Sequence, residues 1–472
     1  LKTHALVLTI AGLLLGGKPA LSNPTPTTAE LPESLRENIR QALDLHPAVQ
    51  SSQSTVDARQ SQAQAVRQQF LPTPSVSIDK ADERSRLALN QQTRILRLQQ
   101  PVWTGGRLTA QTNRADAQTR QSQAENLRIR ETLIEQTLQT AAALQALSHR
   151  TDALNDSETR HAALLQQVEH RVQQGYSPRA DLSLARARWL AVRADLQAVR
   201  SEQAAQIARL RQLTGPSQAG IQVLDPGLFA PTPNHLQNPS VHLAEQLEAA
   251  RSNSPVQSRL DAEIQALEQD LRIEQSGRMP QISLRVDQTH GDISGTERRF
   301  FLSLNATLGA GLSTQYQIQA VHDQMAAKKQ EQDALLRDLQ QNLTALNLEI
   351  DNNLTRARLL DDSYVETEAV MQSVERQYFS GRRTWQEVFN AVREWSQTRI
   401  QRIDATQAAW LACQRLHLKL HGATGFLTGQ TDASTAPPKN FPTDLTRHFV
   451  CDAPSQSDDT INTPSETLHH EH

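Results

Sequence analysis

Cys413, His417 and His421 recur at four-residue intervals in "CQRLHLKLH", which puts one thiol and two imidazoles on a single helical face, a donor set compatible with a metal ion. No fourth ligand has an evident position. The "HHEH" at the end of the chain lies in a Ser/Thr/Asp/Pro-rich segment, beginning at about Thr428, whose composition reads as disordered. His46 stands beside Pro47 at a loop or helix start, a structural place more than a catalytic one. No nucleophile elbow, P-loop or dinucleotide fingerprint occurs. The residues therefore predict no catalytic, cofactor or metal site, and no enzyme. Two charged turns remain, "QQGYSPRADLSLA" and "YFSGRRTWQEVFNA". In each a glycine ends one helix, Ser177 or Thr384 can cap the next, and Asp181 or Glu387 lies in the first turn, facing the positive helix end. Helix capping alone suffices to explain both.

The elements that carry these turns are long and thin. Of 472 residues 38% are hydrophobic and 4% aromatic, with Ala, Gln, Leu and Arg filling most positions, which suits long helices packed through narrow seams better than globular cores. A net charge of −3 gives no nucleic-acid footprint. Lys2, the apolar run Ala5 to Leu15 and the small residues around Ser22 read as a secretory signal over residues 1–22, followed by a linker, 23–33. The two cysteines are too few for a disulfide framework. After residue 22 no apolar run is long enough for a membrane helix, so a membrane can be entered only as strands of a closed barrel.

The chain repeats itself. Pro47 and Pro255 are 208 residues apart, as are Pro72 and Pro280; Gly105 and Gly311, Gly175 and Gly381, and Trp189 and Trp395 are each 206 apart. Two structural repeats follow, 34–222 and 241–425, joined by a linker over 223–240, with a disordered tail over 426–472. Each repeat reads as a helix (Leu35 to Gln69; Val241 to Gly277) stopped by proline, then two strands, a long helix and a second helix. In the strands Val76 and Ile78 share a face, as do Leu96, Leu98 and Val102, opposite Arg97 and Gln99. Ile282, Leu284 and Val286 alternate with Ser283, Arg285 and Asp287, and Phe300, Leu302 and Leu304 with Phe301, Ser303 and Asn305. Such strands fit a half-buried soluble sheet or a membrane barrel equally. Leu182, Ala185, Trp189, Val192, Leu196, Val199, Gln203, Gln206, Leu210 and Leu213 step by three and four, a seam for an antiparallel coiled-coil hairpin.

"ALDLHPAVQSS", "QQPVWTGGR" and "FSGRRTWQEVFNAVRE" resemble segments of the TolC outer-membrane efflux protein family, a resemblance that covers residues 33 to 425. It implies a mostly α fold with a small β part, in which long coiled-coil hairpins join four strands per chain that form one third of a trimeric twelve-stranded transmembrane barrel. It implies an outer-membrane location in a Gram-negative bacterium, reaching into the periplasm, and contact with outer-membrane lipid. The partners implied are two copies of the same chain, a periplasmic adaptor (membrane fusion) protein and an inner-membrane pump, taken as an ABC transporter; no nucleic acid is expected. Gly105 and Gly106, and Gly309 and Gly311, fall where strands swing into tunnel helices. Gly175, Tyr176 and Ser177, with Gly381, Arg382 and Thr384, fall on the tips that meet the adaptor. Tyr378 and Arg383 match family residues that bond to the first hairpin, whose matching partner is Asp181. Glu387 matches one acidic position ringing the closed entrance, while Asn390 replaces a second, so the resemblance implies three carboxylates around a threefold axis and a weak cation preference. The cargo reading is type I protein secretion. The alternatives are a drug or metal efflux duct or, from another class, a non-conducting periplasmic coiled-coil scaffold or adaptor.

Overall fold

A computed structural model describes residues 31–81, 91–215, 239–291, 295–306 and 313–428. The expected signal segment, the inter-repeat linker except for its last two residues, and all but the first three residues of the expected tail lie outside these described residues. In chain order the elements are α1 (Glu33–Leu45), α2 (Pro47–Gln68), β1 (Thr73–Ala81), β2 (Gln91–Trp103), α3 (Arg107–Gln173), α4 (Arg179–Thr214), α5 (Pro239–Asn253), α6 (Pro255–Ser276), β3 (Gln281–Gly291), β4 (Gly295–Asn305), α7 (Ser313–Phe379) and α8 (Trp385–Thr428).

The opening helix of each repeat is two helices, not one. Proline at the first position of α2 and of α6 lacks the N–H that would continue the preceding ladder, so the chain turns there and restarts. His46 caps the restart: its Nδ1 accepts the Ala48 N–H at 3.2 Å. At the equivalent place the Ser254 Oγ accepts the Gln257 N–H at 3.3 Å. The other end of the chain also differs from expectation: α8 breaks at Gly422, where φ is +65°, and resumes as helix to Thr428, burying Phe426 inside the stretch assigned to the tail.

Each of α3 and α7 is 67 residues long, on the order of 100 Å. Side by side the long helices run α4, α3, α8, α7. Every position of the predicted α4 seam is buried or half-buried; Ala185, Leu196, Leu210 and Leu213 are fully so. Polar zippers fix the helix registers. Along α3 and α8 the ion pairs are Glu131–Lys419 at 2.5 Å, Glu135–Arg415 at 3.2 Å, Arg150–Asp404 at 2.6 Å and Asp156–Arg399 at 2.5 Å. Along α3 and α6 Arg114 pairs with Asp270 at 3.1 Å. Among the described residues no helix is long and apolar enough to cross a membrane.

On α8 Cys413, His417 and His421 are each half-buried. The His417 ring lies 4.4 Å from that of His421 and 5.3 Å from that of Phe426. Burial, and secondarily the neighbouring His421, push His417 down to about 4 from an ordinary value of 6.5. The folded protein holds this imidazole neutral, so its contribution to stability is complete above the ordinary value and is lost as pH falls through 6.5 towards 4. Between pH 7 and pH 5 the expected loss is about 2 kcal/mol. His417→Gln should flatten that part of the profile, read as thermal midpoints of the solubilised protein at the two pH values.

Candidate functional site: a two-faced sheet and two hairpin tips

The four strands form one antiparallel sheet in the order β1-β2-β3-β4, with β1 and β4 as open edges. The register collects residues that alternate in the sequence onto two chemically distinct faces. Val76 pairs with Leu96, Leu98 with Val286 and Val286 in turn with Phe300, and Leu284 pairs with Leu302 on the same face. This apolar face is bare: Phe300 is 73% exposed, Leu302 76% and Val76 72%. Water-soluble monomers rarely leave so large a continuous apolar surface uncovered. Pro101, which has no ladder N–H to give, sits beyond the end of β1 beside the bulge at Pro101/Trp103, and that bulge shifts Val102 out of the row.

The opposite face is polar. Arg97 holds Asp287 bidentately, Nε to Oδ1 at 2.9 Å and Nη2 to Oδ2 at 3.2 Å. Arg285 approaches the same carboxylate at 3.3 Å and stacks over the Phe301 ring at 4.3 Å. Ser75, Ser77, Ser283 and Ser303 share this face by register.

The sheet joins α3 through Gly105 and Gly106, at φ +62° and +86°. A Cβ on Gly105 would lie 2.5 Å from the Met279 Cβ, whereas around Gly106 there is open space. The first repeat's joint is therefore pressed against the α6–β3 turn of the second. The other expected joint, Gly309 and Gly311, lies outside the described residues.

At the far ends of the helices the two tips share one backbone solution. Gly175 and Gly381 adopt φ +77° and +75°, and each following residue reaches back to close the helix: Tyr176 N–H to Arg171 O at 2.9 Å, Arg382 N–H to Gln377 O at 2.9 Å. The caps then differ. Thr384 and Glu387 form a reciprocal capping box, the Thr384 N–H donating to Glu387 Oε2 at 3.1 Å and the Glu387 N–H to Thr384 Oγ1 at 3.4 Å. Pro178, not Ser177, occupies the N-cap of α4. Tyr176 projects into solvent at 79% exposure.

The expected gate residues are dispersed within one chain. Arg383 bonds inside its own hairpin, to Gln377 Oε1 at 3.1 Å and Glu387 Oε1 at 3.3 Å, while Asp181 lies in the first turn of α4 and contacts neither Arg383 nor Tyr378 among the described residues. Tyr378 is buried beneath Arg171, whose guanidinium lies 4.9 Å from its ring; its hydroxyl finds no partner among the described residues. Asn390 accepts from Arg188 of α4 at 3.0 Å and so ties the two hairpins together. Arg383 partly neutralises Glu387 within the same tip. Sequence reasoning missed the aromatic core beneath this tip. There Trp385 meets Phe389 edge-on at 5.5 Å, and His161 meets Phe389 at 4.9 Å. Only the density of Trp and Phe in an aromatic-poor chain signalled it.

Known proteins share this architecture. Residues 38–216 match the model of the family described as outer membrane efflux protein. That match covers the first repeat of the chain. No curated protein sequence matches at a significant level. The fold is similar to a membrane protein from Pseudomonas aeruginosa at TM-score 0.72 and 15% identity, covering 83% of this chain and 91% of that one. It is similar to CusC, solved in work on folding and transmembrane channel formation, at TM-score 0.71 and 14% identity, covering 86% and 99%. The outer membrane protein VceC from Vibrio cholerae follows at TM-score 0.68 and 15% identity, covering 82% and 96%. The fold of these structures thus spans both repeats, while the family model covers the first.

Proposed function

We propose that this chain is an outer membrane efflux protein, three copies of which form one channel-tunnel, an exit duct across the outer membrane and into the periplasm. The bare apolar face of the sheet carries the reading. Four strands cannot close a barrel, and open edges in lipid leave backbone groups unsatisfied, so β4 of one copy pairs with β1 of the next. Exposed apolar side chains on the outermost helices support the same assembly: Leu184 and Leu190 on α4, and Leu348, Leu359, Val365 and Val370 on α7, are where neighbouring copies meet. The polar face then lines the bore, and the helices continue it. Asp181 and Arg383 close the inner entrance by bonding between copies, and the tips at Gly175–Ser177 and Gly381–Thr384 receive a periplasmic adaptor. The duct takes its energy from an inner-membrane pump.

For cargo we propose type I protein secretion with an ABC transporter as the pump, on the likeness of the "GRRTWQEVFNAVRE" tip; a drug or metal efflux duct is the alternative. Loss of this chain should then abolish export of a protein substrate and leave drug and metal tolerance unchanged. The assembly itself is tested by purification in detergent. Heat-modifiable trimers that conduct in planar bilayers are expected, whereas a soluble periplasmic monomer would establish the scaffold reading instead.

A further inference from the structure

The apolar face of the sheet does not stay apolar to its end. Near the β1–β2 and β3–β4 connections, the end opposite the helices, Arg94 pairs with His290 across β2 and β3, and Arg298 pairs with Gln288 across β3 and β4. Both rows continue those of Ile78, Leu96 and Val76, so these groups share the bare face. All three basic residues are exposed. Arg298 Nε donates to Gln288 Oε1 at 3.3 Å, and His290 Nδ1 lies 2.9 Å from Thr296 Oγ1. The carboxylates of Asp287 and Glu297 belong to the opposite face, where Arg97 and Arg299 hold them. Two guanidiniums and an imidazole therefore stand together with no acid beside them among the described side chains.

We propose that this cluster is a lipid-headgroup site, which binds the phosphates of the anionic saccharolipid in the outer leaflet. The inference rests on the channel reading, which turns this face to lipid and this end to the cell exterior. A guanidinium is far costlier against hydrocarbon at mid-bilayer than at the interface, so two of them on a lipid face belong at headgroup depth. The strand geometry places them there. Six residues separate Arg298 from Leu304, about 20 Å along the strand, and Trp103, an interfacial side chain by type, pairs with Ile282 at the helical end of the same face. An aromatic residue marks one rim of the apolar band and cations mark the other. Guanidinium groups bind phosphate through paired N–H donors, and three copies present six of them.

The test uses delipidated trimer and native mass spectrometry, with bisphosphorylated lipid A and its dephosphorylated form as probes. Wild type should retain the phosphorylated lipid. Arg94→Gln with Arg298→Gln should weaken that binding about tenfold while trimer and conductance persist; Arg299→Gln, on the bore face, should not weaken it. Equal binding by the double variant, or by the dephosphorylated lipid, overturns the site. Competition by millimolar inorganic phosphate would make it a site for free anion and overturns the lipid assignment. If no preparation forms a conducting trimer, the channel reading falls and this inference falls with it; if trimers conduct normally but ignore lipid A, only the inference falls.

Discussion

Gly105→Val is expected to abolish assembly. The position combines φ +62° with a virtual Cβ 2.5 Å from the Met279 Cβ, so a side chain there meets both backbone strain and a collision that no rotamer relieves. The left-handed conformation alone costs roughly 1–2 kcal/mol for a residue with a Cβ, and more for a β-branched one. Pushing the α6–β3 turn aside raises the total to at least about 3 kcal/mol. That turn leads straight into β3, so the displacement breaks the β2–β3 register and with it the closure of the barrel. The measurement is the fraction of membrane-extracted chain that migrates as heat-modifiable trimer, expected to fall to near zero. Gly106→Ala is the control: at φ +86° with open space around it, the loss should be about 1 kcal/mol and trimers should survive. Replacing Met279 by glycine should partly rescue Gly105→Ala. Equal trimer yields for Gly105→Val and Gly106→Ala would show that the joint is not under the constraint described.

Asp181→Ala combined with Arg383→Ser is expected to raise single-channel conductance at least about threefold. In one chain Arg383 bonds to Gln377 and Glu387 and no ion pair joins it to Asp181 among the described residues; their proposed bond forms between copies, where it would hold the inner entrance shut. Removing Arg383 also deprives Glu387 of its 3.3 Å partner, so the cation preference of the open pore should increase along with its conductance. Tyr378→Phe should change neither property, because the hydroxyl is buried without a partner among the described residues and the ring belongs to the tip core. Planar bilayer recordings under a salt gradient read conductance and selectivity together. Currents indistinguishable from wild type in the double variant would remove Asp181 and Arg383 from the gate.

Much of this architecture is written in short-range pattern. The strand alternation at Val76 and Ile78 and at Ile282, Leu284 and Val286 has a period of two, and the α4 seam from Leu182 to Leu213 steps by three and four. A helix or strand turns such a period into a face wherever it packs. The two prolines that split the opening helices are also in plain view, but a helical pattern on both sides masks the break, since Pro at the first helical position interrupts the ladder without disturbing the period.

The proposed gate side chains are the least legible. Arg383 and Glu387 are four apart in the chain and satisfy each other locally, a pairing that competes with any bond to Asp181 and depends on which rotamer the tip allows. The family resemblance makes Tyr378 a partner of the first hairpin, and the helix phase at the end of α7 sets its ring in the core with Trp385 and Phe389.

Local pattern, then, sets the inventory of faces: which stripe of each helix is apolar, which side of each strand is polar, and where glycine and proline force a change of direction. Which faces meet is settled only when the folded elements pack. Arg97 and Asp287 are 190 residues apart and become a bidentate pair through the β2–β3 register alone; the same register lines up Arg94 with His290 beyond the apolar rows. A shift of one residue would move either group to the other side of the sheet, because side chains alternate with a period of two, and no local preference sets the alignment of strands so distant in the chain.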